Sequence, residues 1–211
     1  MNFNLRSIVR LLFLTLIFVL WYIGKINLWG PLVLIGLLAV PLLGRIYCGW
    51  LCPISTSIDI LKPLFPKPPL KKYQKYLLNY KANTIFYIIS LAYMIFFMKT
   101  HSFIPFFILF IPVGLILSFL FGETVAHRNC LIGITYSWFG KFSRFSYFAD
   151  KSKCIACLKC IRICPNQCLS AEADNKPATD KKNCLICGKC STVCKKNAIK
   201  YTKTIKSSAR D

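Results

Sequence analysis

The chain has 211 residues, is 55% hydrophobic and has a mean hydropathy of +0.52, which is too apolar for an ordinary soluble domain. Its 28 Lys+Arg against 7 Asp+Glu give a formal charge of +21. Basic loops and anionic lipid headgroups account for that charge without nucleic acid, which is not an expected partner. The charge divides evenly, with 14 basic and 3 acidic residues over 1–150 and 14 basic and 4 acidic over 151–211. Apolar residues, in contrast, crowd before Phe121, and ten of the twelve cysteines lie from Cys130 onward.

Four apolar runs, 8–23, 28–43, 82–98 and 103–121, each hold 16 to 19 residues with almost no charge. That is slightly under the roughly 20 residues a helix needs to cross a bilayer, and flanking Trp21, Tyr22, Trp29 and Tyr80 extend them at the interface. The first run has Arg6 just ahead of it and Arg10 at its start, as a signal peptide does, but Trp21-Tyr22-Ile23-Gly24-Lys25 stands at its end in place of a small-residue cleavage site. It is expected to be retained.

Just past the second run stands GRIYCGWLCP, residues 44–53, in which Cys48 and Cys52 are four apart and share a face of any helical turn. The stretch 62–76, KPLFPKPPLKKYQKY, reads as a basic, Pro-rich surface linker. Of the two histidines, His101 falls at the outer end of the third run and His127 beyond the inner end of the fourth, too far apart to share a haem. Cys130 follows in HRNCLIG. Together Cys48, Cys52 and Cys130 form a candidate additional redox or metal site, with His127 a candidate fourth ligand; the alternative is three inert, buried thiols and an interfacial histidine. Asp59 and Glu123, the only acids before residue 150, are candidates to accept a proton or to serve as ordinary capping residues.

Residues 154–164 read CIACLKCIRIC and residues 184–194 read CLICGKCSTVC. The C-x2-C-x2-C-x3-C run places three cysteines on three irons of a cubane, while the fourth ligand of each cubane comes from the other run. Cys154, Cys157, Cys160 and Cys194 are therefore expected to hold one [4Fe–4S] cluster, and Cys184, Cys187, Cys190 and Cys164 a second. Zinc sites usually place cysteines in separated pairs, and a reducing compartment disfavours disulfides. Lys195 stands where Pro usually follows the last cysteine, and Cys168 is expected to be a small packed residue.

Basic residues lie before the first run, between the second and third, and after the fourth, while the two remaining turns hold only Lys25 and Lys99. Both termini and the long loop are thus expected on the cytoplasmic face of the cell membrane. The expected architecture is an α-helical membrane bundle of four transmembrane helices plus a small α+β two-cluster bacterial-type ferredoxin domain. Its parts are a four-span membrane domain at 1–122 with a C-x3-C-P loop at 44–81, a connector at 123–150, the ferredoxin at 151–202 and a basic tail at 203–211.

Four spans, GRIYCGWLCP after the second and the C-terminal double cysteine run resemble the NapH/NosR-like membrane-bound ferredoxins, which include quinol dehydrogenase membrane components, polyferredoxins and oxidase accessory proteins. The resemblance covers nearly the whole chain. That family shows a second C-x3-C after the fourth span; here Cys130 is followed four residues later by Ile134. The resemblance implies electron transfer between the quinone pool, or a membrane partner, and cytoplasmic redox carriers. An accessory protein that reduces metal or thiols during enzyme maturation and a redox sensor are the alternatives. Expected partners are membrane lipid, a redox protein (an acidic soluble carrier or an oxidoreductase subunit) and quinone, with Tyr47 and Trp50 placed to stack on its ring and Arg45 to hold a carbonyl. No nucleophile–base set or nucleotide fingerprint accompanies them.

Overall fold

The computed structural model describes residues 3–64, 68–99 and 104–203. Helices α1 (Phe3–Tyr22) and α2 (Trp29–Leu43) form a hairpin. Two short helices follow, α3 (Ile46–Trp50) and α4 (Pro53–Leu61), then α5 (Gln74–Leu77), α6 (Tyr80–Lys99) and α7 (Ile104–Phe121). A second short pair, α8 (Glu123–Asn129) and α9 (Leu131–Gly140), leads into strand β1 (Phe145–Ala149). The remainder runs α10 (Lys159–Ile163), β2 (Leu169–Ala171), β3 (Pro177–Thr179), α11 (Lys189–Thr192) and β4 (Ile199–Lys203).

The four apolar runs are helical over their described residues. Among those residues, Leu5–Tyr22 is by itself long and apolar enough to cross a bilayer, and only 17% of it is buried. Helix α2 passes the same test only with the helices after it, from which it bends by 113°. Lys81–Phe96 and Ile111–Phe121 are shorter apolar stretches. The bend is local chemistry: Gly44 adopts φ 73° and ψ −168°, a conformation open in practice to glycine alone. The chain then turns again at Cys52, with Pro53 at the first position of α4, where its missing N–H costs nothing.

The cysteine-rich half is built twice, 30 residues apart. Strand, cysteine loop, helix, strand runs β1–α10–β2 and then β3–α11–β4. β1 pairs antiparallel with β4, Phe145 opposite Lys203, and β2 with β3, Leu169 opposite Thr179. Three positions of special backbone recur: Ala156 with Ile186, Leu158 with Gly188 and Gln167 with Asn197 all have positive φ. The closing bonds recur too, Asp150 N–H donating to the Ala198 carbonyl and Asp180 N–H to the Cys168 carbonyl, both at 2.8 Å.

This half sits on the ends of α2 and α9. The Arg144 N–H donates to the Pro41 carbonyl at 2.8 Å and the Tyr201 hydroxyl to the Leu43 carbonyl at 2.8 Å. A buried cluster of Val40, Tyr47, Cys48, Tyr136 and Leu185 joins the two halves into one core.

Candidate iron–sulfur sites and the Cys48–Cys52–Cys130 group

The left-handed turns at Ala156 and Leu158 curl residues 154–160 into a tight loop. Cys154, Cys157 and Cys160 of that loop and Cys194 of the other run line one cavity of about 220 Å³. Every residue lining it lies at 154 or beyond, so the cysteine-rich half builds it alone. Lys159, Lys195 and Lys196 stand at its wall, and Cys157 is exposed.

Cys184, Cys187 and Cys190, together with Cys164, line a second cavity. Cys168 shares it. Its Sγ lies 3.3 Å from the Sγ of Cys164, and its backbone N–H donates to that sulfur at 3.3 Å. The equivalent bond in the other repeat runs from the Ala198 N–H to Cys194 Sγ, also at 3.3 Å. Cys168 is buried, but it touches a candidate ligand sulfur rather than merely filling the core.

The donor sets fit cubanes. A single zinc held at about 2.3 Å by each sulfur would draw its ligands to one point. Among the described residues no three His, Cys, Asp or Glu side chains converge that way; Cys154, Cys157, Cys160 and Cys194 ring a cavity, as suits a cluster whose irons each take one sulfur, whereas the second set closes on about 10 Å³.

The second cavity is gripped from two sides. On one side a Cβ placed on Gly49 of α3 would lie 2.1 Å from the Leu185 carbonyl oxygen, so the backbones touch. Trp50 Nε1 donates to the Ile186 carbonyl at 3.0 Å, and Arg45 donates to the Lys182 carbonyl at 3.4 Å. On the other side the Thr124 hydroxyl of α8 donates to the Pro165 carbonyl at 2.9 Å, and Arg128 to the carbonyls of Asn166 and Gln167. Tyr47 is buried, its hydroxyl accepting from Trp29 Nε1 at 2.8 Å. The three side chains expected to receive a quinone ring are thus engaged in docking and core packing, a role their residue types did not announce.

The two gripping segments correspond. Gly44–Cys52 and Gly122–Cys130 both begin with a positive-φ glycine after an apolar helix and run through a short helix. Both end at a cysteine in extended conformation that opens the next helix, with φ/ψ −68°/121° at Cys52 and −65°/131° at Cys130. With this 78-residue offset Cys130 matches Cys52, and Ala126 stands where Cys48 stands. In this correspondence the position paired with Cys48 is Ala126, ahead of Cys130, rather than Ile134 after it.

Cys48, Cys52 and Cys130 share one buried neighbourhood, but with His127 they do not converge into a group that could hold a metal ion among the described residues. Cys52 and Cys130 both pack against Ile54, Ile58 and Ala126, and Arg45 lies between Cys48, 3.9 Å from its sulfur, and the Cys130 turn. Burial pushes the Cys52 thiol up to about 12, with Cys48 and Cys130 adding to it, and the Cys130 thiol up to about 11. His127 belongs to the same interior rather than to an interface: it is buried, and burial with the neighbouring Arg45 drives it down to about 3, a neutral imidazole. His101 lies outside the described residues.

Residues 138–199 match the family described as 4Fe-4S dicluster domain, and residues 26–69 match the 4Fe-4S binding domain. The chain carries two [4Fe–4S] clusters. The second match spans α2 to α4 and contains two cysteines, Cys48 and Cys52. An uncharacterized protein of Methanocaldococcus jannaschii is 28% identical over 131 residues, covering 59% of this chain and 52% of the relative. The chain thus spans about half the length of that curated relative. No solved structure matches.

Proposed function

We propose that this is a membrane-anchored iron–sulfur electron-transfer protein of the NapH/NosR-like kind, linking the quinone pool or a membrane partner to cytoplasmic redox carriers. One observation carries the reading. The second cavity is held on both sides by segments that directly follow apolar helices, whereas the first is built at a distance by the cysteine-rich half alone. Two centres ordered this way make a relay from the helices outward.

Cys184, Cys187, Cys190 and Cys164 hold the inner cluster, and Cys154, Cys157, Cys160 and Cys194 the outer one. Bound clusters supply one-electron transfer. Trp50, Arg45, Thr124 and Arg128 fix the inner site against the helices, and Lys159, Lys195 and Lys196 offer an acidic carrier a basic face beside exposed Cys157. Cys48, Cys52 and Cys130 form an additional redox-active group between the helices and the inner cluster.

The membrane reading rests on the outward faces of the helices. Leu12, Phe18, Ile35, Leu38, Ile89 and Ile116 are all more than half exposed, a pattern that lipid satisfies and water does not. In this reading α1, α2, α6 and α7 span the bilayer, with their inner ends and the ferredoxin domain on the cytoplasmic side.

Anaerobically purified protein is expected to contain about eight irons in these two clusters, and a Cys157→Ser variant to lose the outer cluster's paramagnetic signal alone. Stopped-flow mixing of oxidised protein with a quinol, and of reduced protein with a quinone, is expected to change cluster absorbance. If neither does, while a Cys48→Ser, Cys52→Ser double variant still supports quinone-linked respiration, the maturation-factor reading replaces this one.

A further inference from the structure

Three cations far apart in the sequence line one cavity. Lys62 follows α4, Lys71 precedes α5 and Arg162 belongs to α10 of the cysteine-rich half, and all border a space of about 1030 Å³. Among the described residues that line it, Glu123 is the one acid, and Lys62 takes it at 2.7 Å. Lys71 and Arg162 are exposed, and no ion pair or side-chain hydrogen bond engages either among the described residues. The lining therefore carries two positive charges without counterions.

Apolar side chains share that lining: Ile58 of α4, and Leu115, Ile116 and Phe119 near the end of α7. Ile116 is 55% exposed and Phe119 41%. The frame around them is fixed by backbone bonds. The Leu70 N–H donates to the Leu120 carbonyl at 2.9 Å, which seats Lys71 against the end of α7. The Thr124 hydroxyl donates to the Pro165 carbonyl at 2.9 Å, which holds the segment after Arg162 to α8. Charge and hydrocarbon are thus offered side by side. A soluble phosphate would use only the first, and a neutral lipid only the second.

We infer that this cavity binds an anionic phospholipid, with its phosphate at Lys71 and Arg162 and the upper part of an acyl chain along Leu115, Ile116 and Phe119. The inference rests on the membrane reading above, in which the end of α7 and the cysteine-rich half lie at the cytoplasmic face. Basic pockets at that level of a helical bundle select anionic headgroups. The lipid held there ties α7 to α10, whose Arg162 stands between Cys160 and Cys164 in the sequence. The stretch 62–76 is then more than a linker, since Lys62 and Lys71 both belong to it.

The test uses the full chain, purified anaerobically in detergent, with native mass spectrometry reading the dissociation constant of the tightest-bound lipid. The probes are dioleoyl phosphatidylglycerol, dioleoyl phosphatidylcholine and glycerol phosphate. Phosphatidylglycerol is expected to bind roughly 30-fold tighter than phosphatidylcholine, from about fivefold for each of two cations. Lys71→Ala and Arg162→Ala are each expected to weaken phosphatidylglycerol roughly fivefold and to leave phosphatidylcholine unchanged. Lys75→Ala removes the same charge from the same stretch outside the cavity, and is expected to change the affinity less than about twofold. Equal affinity for the two lipids, or Lys75→Ala acting as strongly as Lys71→Ala, overturns the site and leaves the membrane reading standing. Glycerol phosphate that displaces the lipid at a comparable concentration makes the occupant a soluble phosphate and overturns it too. A chain that stays in solution without detergent and does not float with vesicles overturns the membrane reading and this inference together. Should Arg162→Ala lose iron, Lys71→Ala decides.

Discussion

Cys168 occupies the place that Ala198 holds in the other repeat, and the difference is one sulfur atom against Cys164. In the proposed ligation, where Cys164 is a thiolate on iron, the Cys168 S–H is the donor of that contact. A donor to a ligand sulfur favours the reduced cluster, whose sulfurs carry more negative charge. Removing it in Cys168→Ala is expected to lower the potential of the inner cluster alone. For a hydrogen bond worth about 1 kcal/mol the one-electron shift is ~40 mV. A redox titration followed by electron paramagnetic resonance checks it; an unmoved inner potential, or a shift in the outer cluster, removes the role. The two clusters were legible because cubane ligation demands a fixed cysteine spacing, which both runs keep. Cys168 fell outside that spacing, and only the folded repeat shows what it meets.

Helices α1 and α4 and the loop at α11 are tied together by Asp59. Arg10 and Lys189 both pair with it, Lys189 at 2.7 Å, and Arg6 approaches to 3.5 Å. Both arginines also donate through Nε to the Gly49 carbonyl at 3.1 Å. Burial by itself would raise the Asp59 carboxyl, but Lys189 and Arg10 outweigh it and hold the group at about 2, against an ordinary 3.8. A depressed carboxyl contributes its stabilisation above the unfolded value and loses it as pH falls through the folded one. The link is therefore fully present above about pH 4 and disappears between about 4 and 2. Asp59→Asn at neutral pH is expected to cost about 2 kcal/mol, visible as a lower thermal midpoint of cluster loss; an unchanged midpoint at pH 7 defeats it. The four apolar runs were legible as helices from hydropathy alone. The correspondence of Gly44–Cys52 with Gly122–Cys130 was not, since the two segments share little beyond the glycine and the last cysteine, and it is the backbone that matches.

Across the whole molecule, the N-terminal end of α1 reaches the ferredoxin half through Arg6 and Arg10, so both lie at the same end of the helices. In the proposed topology the asymmetry of Lys and Arg in the sequence assigns that end to the cytoplasmic side. Reporter fusions at residues 27 and 101 are expected to behave as exported and one at residue 211 as cytoplasmic; a cytoplasmic signal at residue 27 overturns the topology. The roles of Arg45, Tyr47 and Trp50 could not be read at this scale from sequence. Aromatic and basic residues beside an apolar run suit lipid anchoring, ring stacking and docking equally, and the carbonyls of Lys182 and Ile186 that decide the matter lie 137 and 136 residues away.

The contact between Gly49 and the Leu185 carbonyl leaves no space for even a methyl group. A ferredoxin seated that closely is a fixture, without a swinging arm or a tether length to tune. Its inner step therefore proceeds at a constant gap, indifferent to solvent viscosity. In the proposed relay, turnover is then sensitive to diffusion only at the outer face, where a carrier would arrive and depart.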